Sequence, residues 1–110
     1  MKLAVVSDIH GNLPALDAVL ADIARSGADV TLNLGDVVSG PLWPAETAER
    51  LMAMGLPTIR GNHERQLLDD DLARMGPSDA FARARLSAAQ LAWLGALPTR
   101  LRWSTEVFCC

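Results

Sequence analysis

The stretch Leu3-Ala4-Val5-Val6-Ser7-Asp8-Ile9-His10-Gly11-Asn12-Leu13-Pro14 decides how this chain is read. A short apolar run gives way to a polar turn that carries a carboxylate, an imidazole, a glycine and an amide. Pro14 follows, where a helix begins without losing a needed N–H. Leu16, Val19, Leu20 and Ile23 then recur at i, i+3, i+4, i+7 until Gly27, so the stretch predicts a strand, a ligand-bearing turn and an amphipathic helix that must pack on a sheet.

Working outward, the same cycle returns twice. Strands are predicted over Leu3 to Ser7, Val30 to Leu34 and Leu56 to Ile59, and the second and third end in Gly35-Asp36 and Gly61-Asn62-His63-Glu64. A shorter helix is predicted from about Ala45 after Pro44, with Ala48, Leu51 and Met52 on one side and Gly55 as its stop. Alternating strands and helices imply an α/β chain with a parallel βαβαβ core. Beyond Ile59 the pattern changes. Arg65 to Met75 and Ala80 to Leu86 read as helices, and the capping box Ser87-Ala88-Ala89-Gln90 opens another through Leu94. Leu101 to Trp103 and Val107 to Cys110 read as a β-hairpin about Ser104-Thr105.

Composition narrows the function classes. Half of the 110 residues are hydrophobic and 21% are charged, as in a globular domain. The net charge is −3, and the basic residues are scattered, so the clustered cationic footprint of a nucleic-acid binder is missing. No apolar stretch approaches the roughly 20 residues that span a bilayer, and the expected location is cytoplasmic. Cys109 and Cys110 are neighbours, with Cα atoms about 3.8 Å apart across a trans peptide, closer than an unstrained disulfide allows. They are expected to be reduced.

Chemistry concentrates in the three turns. In open parallel sheets, sites form beyond the carboxyl ends of the strands, which brings the turns after successive strands to one edge. Asp8 and His10, two residues apart in an extended turn, can address the same ion. Two carboxylates, an imidazole and an amide oxygen suit Mn²⁺, Fe or Zn²⁺ rather than a thiolate-seeking metal. Each residue has a plainer role as well. Asn12 fits a helix N-cap as well as a substrate contact, Asp36 is an ordinary turn residue, Asn62 could cap a helix starting at Glu64, and His63-Glu64 could be a solvated pair. Their joint placement argues for a site, because both histidines of the chain fall in these turns and each turn follows a predicted strand.

Asp8-x-His10, Gly35-Asp36 and Gly61-Asn62-His63-Glu64, one βα cycle apart, resemble the first three motifs of the calcineurin-like metallophosphoesterases. The start Ser7-Asp8-Ile9-His10-Gly11-Asn12-Leu13 is similar to the small bacterial phosphodiesterase branch. The resemblance is specific from Met1 to about Leu68 and looser to Cys110. It implies a four-layer α-β-β-α sandwich with a two-metal site at the strand ends. It also implies roles: Asp8 and His10 on the first metal, Asp36 bridging both, Asn62 on the second, and His63 facing the phosphate as proton donor or electrostatic stabiliser. Two departures stand out. Val37-Val38-Ser39-Gly40-Pro41 follows Asp36 in place of the second Asp and the Arg of protein Ser/Thr phosphatases, which leaves His63 without the usual acidic orienter. The family's later histidines, including a Gly-His-x-His turn, are absent, and the sequence stops inside the run Val107 to Cys110. Residues 1–110 are therefore expected to be one domain that forms the N-terminal part of a longer metallophosphoesterase domain.

The function expected from this resemblance is hydrolysis of a small phosphomonoester or phosphodiester by a water that two divalent metal ions activate, with weak or no activity from these residues alone. The alternative is a non-catalytic binding or scaffold module on the same fold. Retention of Asp8, His10, Asp36 and Asn62 speaks against the alternative, and the missing histidines speak for it. A dinucleotide-binding domain is excluded, because no Gly-x-Gly-x-x-Gly opens the first helix. Arg60 could touch a phosphate and Trp43 could line a pocket, although a solvated arginine and a packed tryptophan are at least as ordinary at such positions. An open apolar edge at the last strand also allows self-association.

Overall fold

The computed structural model describes residues 2–69, 73–103 and 106–109. Strand β1 (Leu3–Val6) leads into helix α1 (Leu13–Ser26), strand β2 (Val30–Asn33) and helix α2 (Pro44–Met54). Helices α3 (Asn62–Asp69), α4 (Pro77–Arg85) and α5 (Ala88–Ala96) follow, then strands β3 (Arg100–Trp103) and β4 (Glu106–Cys109). The architecture is α/β, as the alternation predicts. β1 and β2 are parallel with Leu3 opposite Val30 and Val6 opposite Asn33, while β3 and β4 form a separate antiparallel pair with Arg100 opposite Cys109.

The third predicted strand is the main difference. Leu56 to Ile59 forms only a parallel bridge between Thr58 and Asn33, flanked by an Asn33 N–H to Pro57 carbonyl bond (2.9 Å) and an Ile59 N–H to Asn33 carbonyl bond (3.0 Å). Pro57 has no N–H to extend the ladder, so the pairing stays short, though its direction and place follow the predicted cycle.

Local chemistry sets the helix boundaries. The Asn12 side chain caps α1 by accepting the Ala15 N–H at 3.2 Å, the capping role considered from sequence. The helix expected from Arg65 to Met75 begins instead at Asn62 and ends at Asp69, and Ala73-Arg74 is a turn. It begins early because Glu64, at its third position, reaches back to the Gly61 N–H at 2.9 Å. Gly76-Pro77 starts α4 three residues before the expected Ala80. The capping box at Ser87 forms as predicted, with both of its hydrogen bonds made. The expected turn at Ser104-Thr105 and the residue Cys110 lie outside the described residues.

The core gathers Leu16 from α1, Val37 and Val38 from the loop after β2, Ala48 and Leu51 from α2, Leu67 from α3, Ala82 from α4 and Leu94 from α5. Val37 and Val38 are fully buried, so the residues right after Asp36 anchor that turn in the core. Burying one such side chain contributes about 1.5–3 kcal/mol. The Gly35-Asp36 turn is thus fixed from beneath by packing.

Candidate metal and phosphate site

The first two turns run on as a parallel ladder beyond the strands. The Asp8 N–H donates to the Gly35 carbonyl (3.1 Å), the His10 N–H to the Asp36 carbonyl (3.0 Å) and the Gly11 N–H to the Val37 carbonyl (2.8 Å). These bonds hold the two turns in register at the carboxyl end of the sheet. Their backbone is unusual. Among the described residues, the non-glycine residues with left-handed φ are Asp8 (59°), His10 (51°) and Asp36 (57°). Such a conformation costs an L-residue roughly 1–2 kcal/mol, and cost of this kind collects where function requires it.

The third turn is bound to the second through Glu64. Its carboxylate accepts the N–H groups of Asp36 (2.6 Å), Val37 (3.1 Å) and Gly61 (2.9 Å), and the residue is fully buried. Burial pushes the Glu64 carboxyl up, the three N–H donors pull it down in part, and the Asp36 charge nearby adds to the rise. The solvated His63-Glu64 pair considered from sequence is therefore not what forms. Gly35 and Gly61 permit the close approach: a Cβ on Gly35 would come within 2.6 Å of the Gly61 nitrogen, and one on Gly61 would collide with the Asp36 carboxylate.

Asp36 itself is buried, and its Oδ1 accepts the His63 N–H at 3.0 Å at the start of α3. His10, Asp36 and His63 each offer a ligand atom within 4.8 Å of the others, and the two imidazoles meet edge to face with centroids 5.0 Å apart. His10 Nδ1 donates to the Ser39 carbonyl at 2.7 Å, which leaves Nε2 as the bare nitrogen, the arrangement of an imidazole prepared for a cation. That Nε2 lies 3.4 Å from Asp8 Oδ1. Asp8 is exposed. Its carboxyl is held below the usual range first by the Ser7 hydroxyl at 2.7 Å, against a smaller effect of burial, and then by His10 and Asp36. Two carboxylates and two imidazoles converging without a cationic side chain among them form a donor set that fits divalent cations.

The structure thus brings Asp8, His10, Asp36 and His63 together. Asn62, the first residue of α3, is exposed and lines a neighbouring cleft of about 370 Å³ with Arg60 and Arg65. Trp43 is exposed at the start of α2, with its N–H on the Gly11 carbonyl. His10 and His63 open onto a cleft of about 420 Å³ that is also lined by Pro41, Leu42, Pro77 and Asp79. Sequence reading placed Glu64 in the third turn without its clamping role and did not single out Asp79. The Glu at the third helical position after Gly61 was the available signal for the first, whereas contacts of Asp79 across 40 residues leave no local trace.

Comparisons with known proteins bear on the fold and the family. A crystal structure of a metallophosphoesterase from Sphaerobacter thermophilus superimposes with a TM-score of 0.78 at 30% identity, over 97% of this chain and 45% of that one. The phosphoesterase YfcE of Escherichia coli superimposes with a TM-score of 0.55 at 28% identity, over 97% of this chain and 54% of that one. In sequence, the E. coli phosphodiesterase YfcE is 46% identical over 72 residues, covering 56% of this chain and 39% of the relative. An uncharacterized protein of Methanocaldococcus jannaschii is 42% identical over 62 residues, covering 56% of this chain and 26% of its own length. The chain therefore spans well under half the length of these curated relatives. The family model for calcineurin-like phosphoesterases matches residues 1–110, and with turns, fold and relatives in accord the chain belongs to that family.

Proposed function

We propose that these residues carry the N-terminal part of a metal-dependent phosphoesterase site acting on a small phosphomonoester or phosphodiester. The observation that carries the reading is that Asp8, His10 and Asp36 all take left-handed backbone while their side chains converge. Asp8 and His10 would hold one divalent ion, Asp36 would be shared between two, and Asn62 would serve the second. Mn²⁺ is the preferred ion, with Fe, Zn²⁺ or Ni²⁺ as alternatives. When bound, such a pair lowers the pKa of a water and neutralises phosphate charge. The chain's own residues do the rest: the Ser39 carbonyl fixes the His10 tautomer, Glu64 locks the second turn to the third, and His63 faces the scissile phosphate as proton donor or electrostatic stabiliser.

Four metal-binding residues shared between two ions leave about two each, where catalytic zinc usually keeps three. Weak metal binding and low turnover are therefore expected of this chain by itself. Among the described residues no helix is long and apolar enough to cross a membrane, and we place the protein in the cytoplasm. Self-association belongs to the same reading, because β1 pairs only with β2 among the described residues and Val5 and Val19 are each 45% exposed beside its open edge.

In a protein that supplies the remaining metal ligands, the test replaces His63 by Ala and follows both metal content and Mn²⁺-supported turnover of an aryl phosphodiester. Turnover is expected to fall by about 10² to 10⁴-fold while metal content stays nearly constant. Equal loss of both would make His63 a metal ligand, and unchanged turnover would remove it from the reaction.

A further inference from the structure

Ser39 is buried and touches both histidines of the chain. Its carbonyl accepts from His10 Nδ1, its hydroxyl lies 3.4 Å from His63 Nδ1, and the same hydroxyl donates to Asp79 Oδ1 on the first turn of α4. A hydroxyl has one proton and a carboxylate is an acceptor only. With that O–H donated to Asp79, the Ser39 oxygen presents lone pairs to His63, so Nδ1 must carry the hydrogen between them. The protein then occupies Nδ1 and leaves Nε2 available.

We propose that Ser39 and Asp79 are positioning residues that orient His63 through the chain Asp79–Ser39–His63, in place of the acidic residue that directly orients this histidine in protein phosphatases. The proposal rests on the reading of His63 given above only for its catalytic consequence. Its structural content stands on the three contacts. All four side chains, His10, Ser39, His63 and Asp79, line the same cleft of about 420 Å³. The Ser39–His63 bond is long, as such bonds often are before a substrate tightens the site. Linking α4 to the loop after β2 through Asp79 gives the orientation a rigid support.

The experiment is ¹⁵N NMR of the imidazoles in the metal-free chain at alkaline pH. Only two histidines contribute, and His10 is an internal control because its partner is a main-chain carbonyl that side-chain changes leave in place. In the wild type both rings should show Nδ1–H. Ser39→Ala and Asp79→Ala should each return His63 to the Nε2–H tautomer of a free imidazole, with His10 unchanged, and Ser39→Thr should retain the wild-type pattern. In a protein that supplies the remaining metal ligands, with Mn²⁺ and an aryl phosphodiester, either alanine should lower kcat about 10- to 100-fold at nearly constant KM, and Asp79→Ala should add nothing in a His63→Ala background. Nε2–H on His63 in the wild type, or Nδ1–H retained in either alanine variant, overturns the proposal. Because the tautomer needs neither metal nor turnover, its failure is distinct from failure of the His63 assignment.

Discussion

Glu64 and Asp8 are carboxylates a few ångströms from the same cluster, with opposite surroundings. Glu64 is sealed from solvent, receives three backbone N–H groups and has its carboxyl pushed up by burial. Asp8 is 63% exposed at its side chain, is held by the Ser7 hydroxyl and His10, and has its carboxyl pulled down. One carboxylate builds the site and the other waits in it. The difference teaches that a charged residue next to a candidate ligand is assigned by what surrounds it: Glu64 has its hydrogen bonds made within the fold and is sealed from solvent, whereas the Asp8 carboxylate stays open to solvent beside His10.

The largest break of this contrast is Glu64→Ala, which leaves three buried N–H groups without an acceptor. At about 1–3 kcal/mol for each orphaned group, the loss should be on the order of 3–9 kcal/mol, read as a fall in the urea midpoint. Asp8→Ala should leave that midpoint nearly unchanged. Gly35→Ala comes next, because its Cβ would press on the Gly61 backbone, and a loss of several kcal/mol is expected from overpacking and strain. Gly55→Ala shares the left-handed φ but meets nothing within 4 Å, so its cost should be near 1 kcal/mol. Equal midpoints for the two alanine variants would show that the close approach of the second and third turns is not rigid.

The pH dependence sharpens the contrast through its sign. A carboxyl whose pKa is raised by folding adds stability that is present below its unfolded pKa and lost as pH rises through the folded one. Glu64 is of this kind, so the advantage of wild type over Glu64→Gln should be larger below the ordinary glutamate range than at neutral pH. Asp8 is of the opposite kind, and its small contribution should appear above the ordinary aspartate range and fade as pH falls. Urea midpoints of wild type, Glu64→Gln and Asp8→Asn across this range check both signs. The smallest effect is expected for Asp8→Gly. Relief of the left-handed backbone should offset the lost side-chain contacts to within about 1 kcal/mol, while metal binding weakens.

The βα cycles, the Asn12 cap and the Ser87 capping box were legible because each is written in residues close together in the chain. The turns were legible for the same reason. The third strand was read too long, because the apolar run Leu56 to Ile59 outweighed Pro57, whose missing N–H stops the ladder after one bridge. The start of α3 was misplaced by three residues because periodicity marks the buried Leu67 but not the reach of Glu64 back to Gly61. The Glu64 clamp and the Ser39–Asp79 contact join residues 27 to 40 positions apart through polar groups, and no hydrophobic period announces such pairs.

The central claim is that the three turns form one cation site centred on Asp36, and titration of metal-depleted protein with Mn²⁺ by calorimetry tests it most directly. Asp36→Asn is the matched variant, since its amide oxygen can still accept the His63 N–H that Asp36 accepts at 3.0 Å. The account predicts weak but measurable binding to wild type and its loss in Asp36→Asn. Mn²⁺ binding that is the same in the two proteins would contradict it.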